Sequence, residues 1–213
     1  RELWQFSSDV RSKSNVSNQA GFRIASSDDT YRSMEASDVA VVSLRSGKDA
    51  GMVDIFHADR LFPLGKRVRD HILNSGVLEA IEASTASKIQ PSNLNFYLNS
   101  SVTKTRGLHV DSYGGKQFKV FMYLSDVEAL DVGPYCYAPT SHAIPGLEVV
   151  NRRCNAVLDL RATDITLLPA ELPIPVLGRR GTIIASNQSG AHRGYPQAAG
   201  ARRAIAALNC RVD

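Results

Sequence analysis

Leu108-His109-Val110-Asp111 is the stretch on which the reading of this chain turns. It is short, β-rich and bounded by Gly107 and Ser112. On a strand, residues i and i+2 project to the same face, so backbone geometry alone aims the His109 imidazole and the Asp111 carboxylate at one point. One further histidine completes a facial triad of two histidines and one carboxylate, the donor set that holds non-haem Fe(II) and leaves adjacent positions open. His192 is that candidate, 81 residues beyond Asp111 and just after the predicted strand Gly181 to Ser186. Taken alone, the pair is equally consistent with an ordinary His–Asp hydrogen bond. Its surroundings decide.

Working outward, the pattern after Pro91 is that of strands. Leu94-Asn95-Phe96-Tyr97-Leu98, Phe118 to Leu124, Asp164 to Leu168, Gly181 to Ser186 and Ala204 to Asn209 are β-rich runs separated by Gly, Pro or polar turns. An earlier strand is expected at Asp38 to Leu44. Between Arg60 and about Ser84 the period changes: Leu64, Val68 and Ile72 recur at i, i+4 and i+8, which predicts one or two amphipathic helices, broken near Gly76. Many short strands with helices packed outside predict a mainly β fold, a double-stranded β-helix or jelly roll of cupin-like form. The chain reads as one domain over 1–213. A polar lead-in (about 1–37, nine serines between Ser7 and Ser37) is expected to pack loosely, and Pro145 to Gly178 to form a crossover loop or pocket wall.

Composition narrows the function classes. The 213 residues are 43% hydrophobic and 22% charged, enough for a sizeable core. No apolar run is long enough for a membrane span. A net charge of +4, dispersed along the chain, is too weak to argue for nucleic acid. Three cysteines, Cys136, Cys154 and Cys210, without CxxC spacing, read as reduced thiols of a cytoplasmic protein. The sequence opens on Arg1, so any targeting segment stays unjudged. Neither GxGxxG nor GxxxxGK[ST] occurs, which removes the dinucleotide and P-loop readings.

From about Asn93 to Asn209 the sequence resembles the phytanoyl-CoA dioxygenase family of Fe(II)/2-oxoglutarate-dependent oxygenases. His109-Val110-Asp111 is similar to the family's HxD, and Tyr123 to Val127 to its strand ending in a Leu-x-Asp turn. Gly133-Pro134 and Pro139 to His142 resemble its NG-x and PGSH segments, Gly181-Thr182 its Gly-Asp, and Arg202 its oxoglutarate-anchoring arginine, ten residues beyond His192. Val132, Thr140 and Thr182 depart from the usual Asn, Gly and Asp, in turns around the site. Asp111 separates the chain from related halogenases, which carry a small residue there.

The resemblance implies Fe(2+) held by His109, Asp111 and His192, with 2-oxoglutarate and O2 as cosubstrates. It implies oxidation, by default hydroxylation, of a small-molecule substrate with release of succinate and CO2, in biosynthesis or tailoring. It places Arg202 on the 5-carboxylate of 2-oxoglutarate; strand alternation lets only one of Arg202 and Arg203 face inward, and Arg202, with Ala204 and Ala206 on its face, is preferred to Arg203. Asn95, in a polar row with Asn93, Tyr97 and Asn99, is read as pointing inward near the 1-carboxylate. Lys119, Phe121 and Tyr123 form another alternating face that can line the pocket. His142 is read as a loop-fixing residue beside the site, while His57 and His71 carry no assigned role. Two other classes stay open: a cupin-like metal enzyme that does not use 2-oxoglutarate, and a non-catalytic jelly-roll binding module.

Overall fold

The computed structural model describes residues 1–12, 21–114 and 117–213. In chain order its elements are α1 (Glu2–Ser12), β1 (Phe22–Ile24), α2 (Tyr31–Glu35), β2 (Ala40–Leu44), β3 (Met52–Phe56), α3 (Ala58–Leu61), α4 (Pro63–Leu73), α5 (Val77–Thr85), β4 (Ile89–Ser100) and β5 (Gln117–Tyr123). There follow β6 (Tyr135–Tyr137), α6 (Leu147–Val157), β7 (Ile174–Val176), β8 (Ile183–Asn187), β9 (His192–Gly194) and β10 (Arg202–Val212). A seven-stranded sheet, ordered β1-β2-β3-β4-β10-β5-β8, faces a three-stranded sheet ordered β7-β6-β9. The β1–β2 pair is parallel and the remaining pairs are antiparallel. This is the jelly roll expected from the strand pattern.

Strand alternation gives the large sheet two different faces. Along β10, Ala204, Ala206 and Leu208 point to one side and join Phe96, Val120 and Ile55 in the main core. The stripe Val68, Ile72 of α4, with Phe62 at its N-cap and Ile81 of α5, closes over that side. The opposite face is polar and aromatic. Register pairs Arg203 with Asn99, Ile205 with Tyr97 and Tyr123, Ala207 with Asn95 and Phe121, and Asn209 with Lys119. Tyr135 of the small sheet packs on this second face with Phe121, Tyr123 and Ile205. The main core therefore lies under the helices, and a second, smaller cluster lies between the sheets.

Several expectations need correcting. The lead-in is not loosely packed at its start: α1 buries Leu3, Ser7 and Val10, one helical face, against the main core. The remainder of that lead-in at 13–20 lies outside the described residues. Pro145 to Gly178 holds α6 rather than loop alone. Its buried positions are Asn151 and Asn155, whereas Val149, Val150 and Val157 are exposed, so the hydrophobic period that betrays a helix is inverted here. The segments Leu108 to Asp111 and Asp164 to Leu168 are narrower than full strands, with single bridges of His109 to Asp164 and His109 to His192. The helical segment at 60–84 does break where expected: Asn74 caps α4 and Gly76, at φ 78°, enters α5 in the left-handed region that favours glycine.

Candidate metal centre

His109 and His192 face each other across an antiparallel bridge. The His109 amide donates to the His192 carbonyl at 3.0 Å, and the His192 amide returns a bond to His109 at 2.9 Å. Directly opposed residues share a face, so the two imidazoles stand together with ring centroids 4.5 Å apart. Asp111 lies two residues along on the same face, its amide tied to the Gln188 carbonyl at 3.0 Å. The result is a cluster in which one ligand atom from each of His109, Asp111 and His192 lies within 4.8 Å of the others. The residues singled out by spacing are brought together.

The side-chain details favour metal binding. Nδ1 of His109 lies 2.9 Å from the Gly107 carbonyl, and Nδ1 of His192 lies 2.9 Å from the Gly190 carbonyl. A carbonyl only accepts, so both Nδ1 atoms carry the proton and both Nε2 lone pairs are free. Each Nε2 lies 3.8 Å from the same oxygen, Asp111 Oδ1. Burial pushes the His109 pKa down to about 3, assisted by the positive charges of His192 and Arg106. Burial likewise lowers His192. Both rings are therefore neutral near pH 7. Burial alone would raise the Asp111 carboxyl, but the Lys119 ammonium, joined in acid by His192 and His109 once they are protonated, outweighs it and holds the group below the ordinary carboxylate range.

The backbone under the triad is braced from behind. The Ile165 amide donates to the Leu108 carbonyl and the Val110 amide to the Thr163 carbonyl. From α6, the Asn151 and Asn155 amides both donate to the Asp164 carbonyl at 2.6 Å, and Arg106 pairs with the Asp164 carboxylate. Gly190 matters for close approach: a Cβ there would run into the Tyr137 ring, 1.9 Å from its hydroxyl oxygen.

The other candidates divide. Asn95 is fully buried on the inner face, accepting from the His57 amide at 3.3 Å and from Asn93 at 2.8 Å, while its Nδ2 has no partner among the described residues. The arginine register is one residue off from expectation: Arg203 is buried on the inner face, and Arg202 is exposed beside the Trp4 ring of α1, 5.5 Å from its centroid. The reason is packing. Ala204, Ala206 and Leu208 form the more apolar set and go under the helices, which drags Arg202 to that side. Arg203 donates to the Gly133 carbonyl, its Nε has no partner, and no ion pair with a carboxylate forms among the described residues. His142 is exposed; Ser141 beside it fixes the loop, its hydroxyl bonded to the Ala138 carbonyl and the Ala191 amide. His71 is exposed on α4, and His57 is buried against the Glu35 carbonyl. Sequence reasoning placed Lys119 on the pocket face but missed its partner: Nζ donates to Asp111 Oδ2 at 2.6 Å.

No protein-family profile matches the chain, and no curated protein matches it. Solved structures do. SnoN, the non-heme alpha ketoglutarate dependent epimerase from nogalamycin biosynthesis, superposes with a TM-score of 0.59 at 16% identity, over 84% of this chain and 70% of that one. HygX from Streptomyces hygroscopicus, solved with nickel, 2-oxoglutarate and hygromycin B bound, gives 0.55 at 15% identity, over 76% and 70%. EvdMO1 gives 0.53 at 14% identity, over 99% of this chain but 43% of that one. At such identities the likeness defines the fold. No helix among the described residues is long and apolar enough to cross a membrane.

Proposed function

We propose that this chain is a non-haem Fe(II)- and 2-oxoglutarate-dependent oxygenase acting on a small molecule, of the phytanoyl-CoA dioxygenase-like kind. The donor set fits the metal: two neutral imidazoles with free Nε2 lone pairs and an ionised carboxylate meet at one point, with no further His, Cys, Asp or Glu in the cluster among the described residues. His109, Asp111 and His192 hold the ion. When bound, Fe(II) supplies activation of O2 coupled to loss of CO2 from 2-oxoglutarate, leaving succinate and an oxidised substrate.

The observation that carries the cosubstrate is Arg203. A buried guanidinium without a carboxylate is costly, and burial lowers its pKa against that cost. It is relieved by an anion from outside, and a carboxylate matches its planar fork. Arg203 is therefore assigned to the 5-carboxylate, and Asn95, with its spare Nδ2 donor, to the 1-carboxylate end. The bound 2-oxoglutarate of HygX, a protein of the same fold, supports this reading. Tyr123, Phe121 and Tyr135 form a buried cluster on the same inner face, and the low local dielectric beside it strengthens polar contacts made there.

The test is direct. Metal-free protein reconstituted with Fe(II) and given 2-oxoglutarate and O2 should release succinate slowly even without its prime substrate. Metal uptake without succinate release above the metal-free control, across a panel of candidate substrates, would place the chain among metal proteins that do not use 2-oxoglutarate.

A further inference from the structure

The two oxygens of Asp111 have different neighbours. Oδ1 lies 3.8 Å from Nε2 of each triad histidine, while Oδ2 lies 2.6 Å from Lys119 Nζ. Lys119 has 8% side-chain exposure and stands on the inner face of β5, opposite Asn209 of β10 and Ser186 of β8. Its other close company is aromatic: the Tyr31 ring centroid lies 5.9 Å from Nζ. Among the described residues Asp111 is the carboxylate it pairs with. A buried ammonium that let go of this partner would be stranded, so the contact is held firmly.

The consequence lies in how many positions the protein takes on the metal. A carboxylate left to itself binds hard cations through one oxygen or through both. Two imidazoles and one oxygen leave room for a chelating cosubstrate and one small molecule on an octahedral ion; a second Asp111 oxygen would take one of those places. We propose that Lys119 is a positioning residue that keeps Asp111 a one-oxygen ligand, reserving Oδ1 for the metal and holding Oδ2 away from it. This rests on the reading of His109, Asp111 and His192 as metal ligands.

The experiment uses the full chain with Lys119→Met and Lys119→Gln. Each is titrated with Co(II), followed by its visible absorption, and then with 2-oxoglutarate in the metal-loaded, oxygen-free protein. Lys119→Met is expected to bind Co(II) at least as tightly as wild type but 2-oxoglutarate about tenfold or more weakly, because Asp111 can then chelate. Lys119→Gln keeps an N–H donor for Oδ2 and should stay within about threefold of wild type. Melting of the metal-free variants separates a structural role: a lower midpoint with unaltered titrations overturns the proposal. So does an equal loss of 2-oxoglutarate affinity in both variants, which would mean that the charge and not the hydrogen bond matters. Should Lys119→Met fail to fold, a structure of the metal-loaded wild type decides, and both Asp111 oxygens on the metal would refute the idea. A wild type that takes up no metal overturns the proposed function and this inference together; one that loads normally isolates the inference.

Discussion

Burial keeps the imidazoles of His109 and His192 neutral, and that has a measurable cost in acid. Between the ordinary imidazole pKa of 6.5 and the value of about 3 at His109, the unfolded chain takes up a proton that the fold refuses. Stability contributed by this group is therefore constant above that window and falls as pH drops through it, by up to about 2 kcal/mol from pH 6.5 to 5. Asp111 works the other way round. Its folded pKa is lowered, so its contribution survives the same window and is lost only at more acid pH. Calorimetry of the metal-free protein should show the midpoint falling from pH 7 to 5, with a smaller fall in His109→Gln. The arginine pair gives a second residue-scale prediction. Arg203→Ala should weaken 2-oxoglutarate binding by about a hundredfold or more, since it removes a buried partner of a carboxylate, while Arg202→Ala should leave it unchanged. A titration with equal losses in both variants would remove Arg203 from its assigned role. The register itself was readable with a wider window: the row Arg203, Ile205, Ala207, Asn209 carries polar residues at both ends, and the row Arg202, Ala204, Ala206, Leu208, Cys210 only at its first.

At the scale of elements, legibility followed hydrophobic period. β4 alternates apolar with polar, β5 and β10 are longer β-rich runs, all three lie where the sequence puts strands, and the α4–α5 stripe shows its period and its break. Of what escaped, β1 and β9 have too few residues to show a period and α6 has a buried side that is not apolar, while α1 lay in a stretch read for its serines and β3 went unassigned. That helix presents Asn151 and Asn155 inward because they close backbone groups beneath the HxD segment rather than fill a core. Asn151→Leu leaves the Thr166 amide without its acceptor and Asn155→Leu leaves the Arg161 carbonyl without its side-chain donor, so each should cost about 1–3 kcal/mol and loosen metal binding, seen together in denaturant melts and Co(II) titrations. Val157→Ser, at a position 86% exposed on the same helix, should change stability by less than about 0.5 kcal/mol. Equal effects at the two positions would mean that the helix is held by something other than its asparagines. The triad itself was legible because a strand's i, i+2 rule needs only two residues; its brace was not, because the contacts cross from α6 to Asp164 to Leu108.

Across the whole molecule, the large sheet separates tasks: its helix-covered side holds the fold and its inner side holds the polar groups. Losing one of the proposed ligands should therefore spare the metal-free fold while removing the response to metal. With metal at about a hundred times its dissociation constant, binding contributes about 2.7 kcal/mol, or a rise of roughly 5–10 °C in the melting midpoint for a chain of this size. His192→Ala should melt near the metal-free wild type and show no such rise; a full rise in that variant would remove His192 from the ligand set. The reciprocal backbone bonds between His109 and His192 carry this further. They join segments far apart in the chain, one on each side of β5, β6, α6, β7 and β8, so neither histidine has its partner until the roll has closed around everything between them. An ion held as proposed would find its site complete only once the roll has closed. Its uptake during refolding would serve as a clock for closure, and a chain nicked in that interval would keep it only as long as the two ends of the clasp stay fastened.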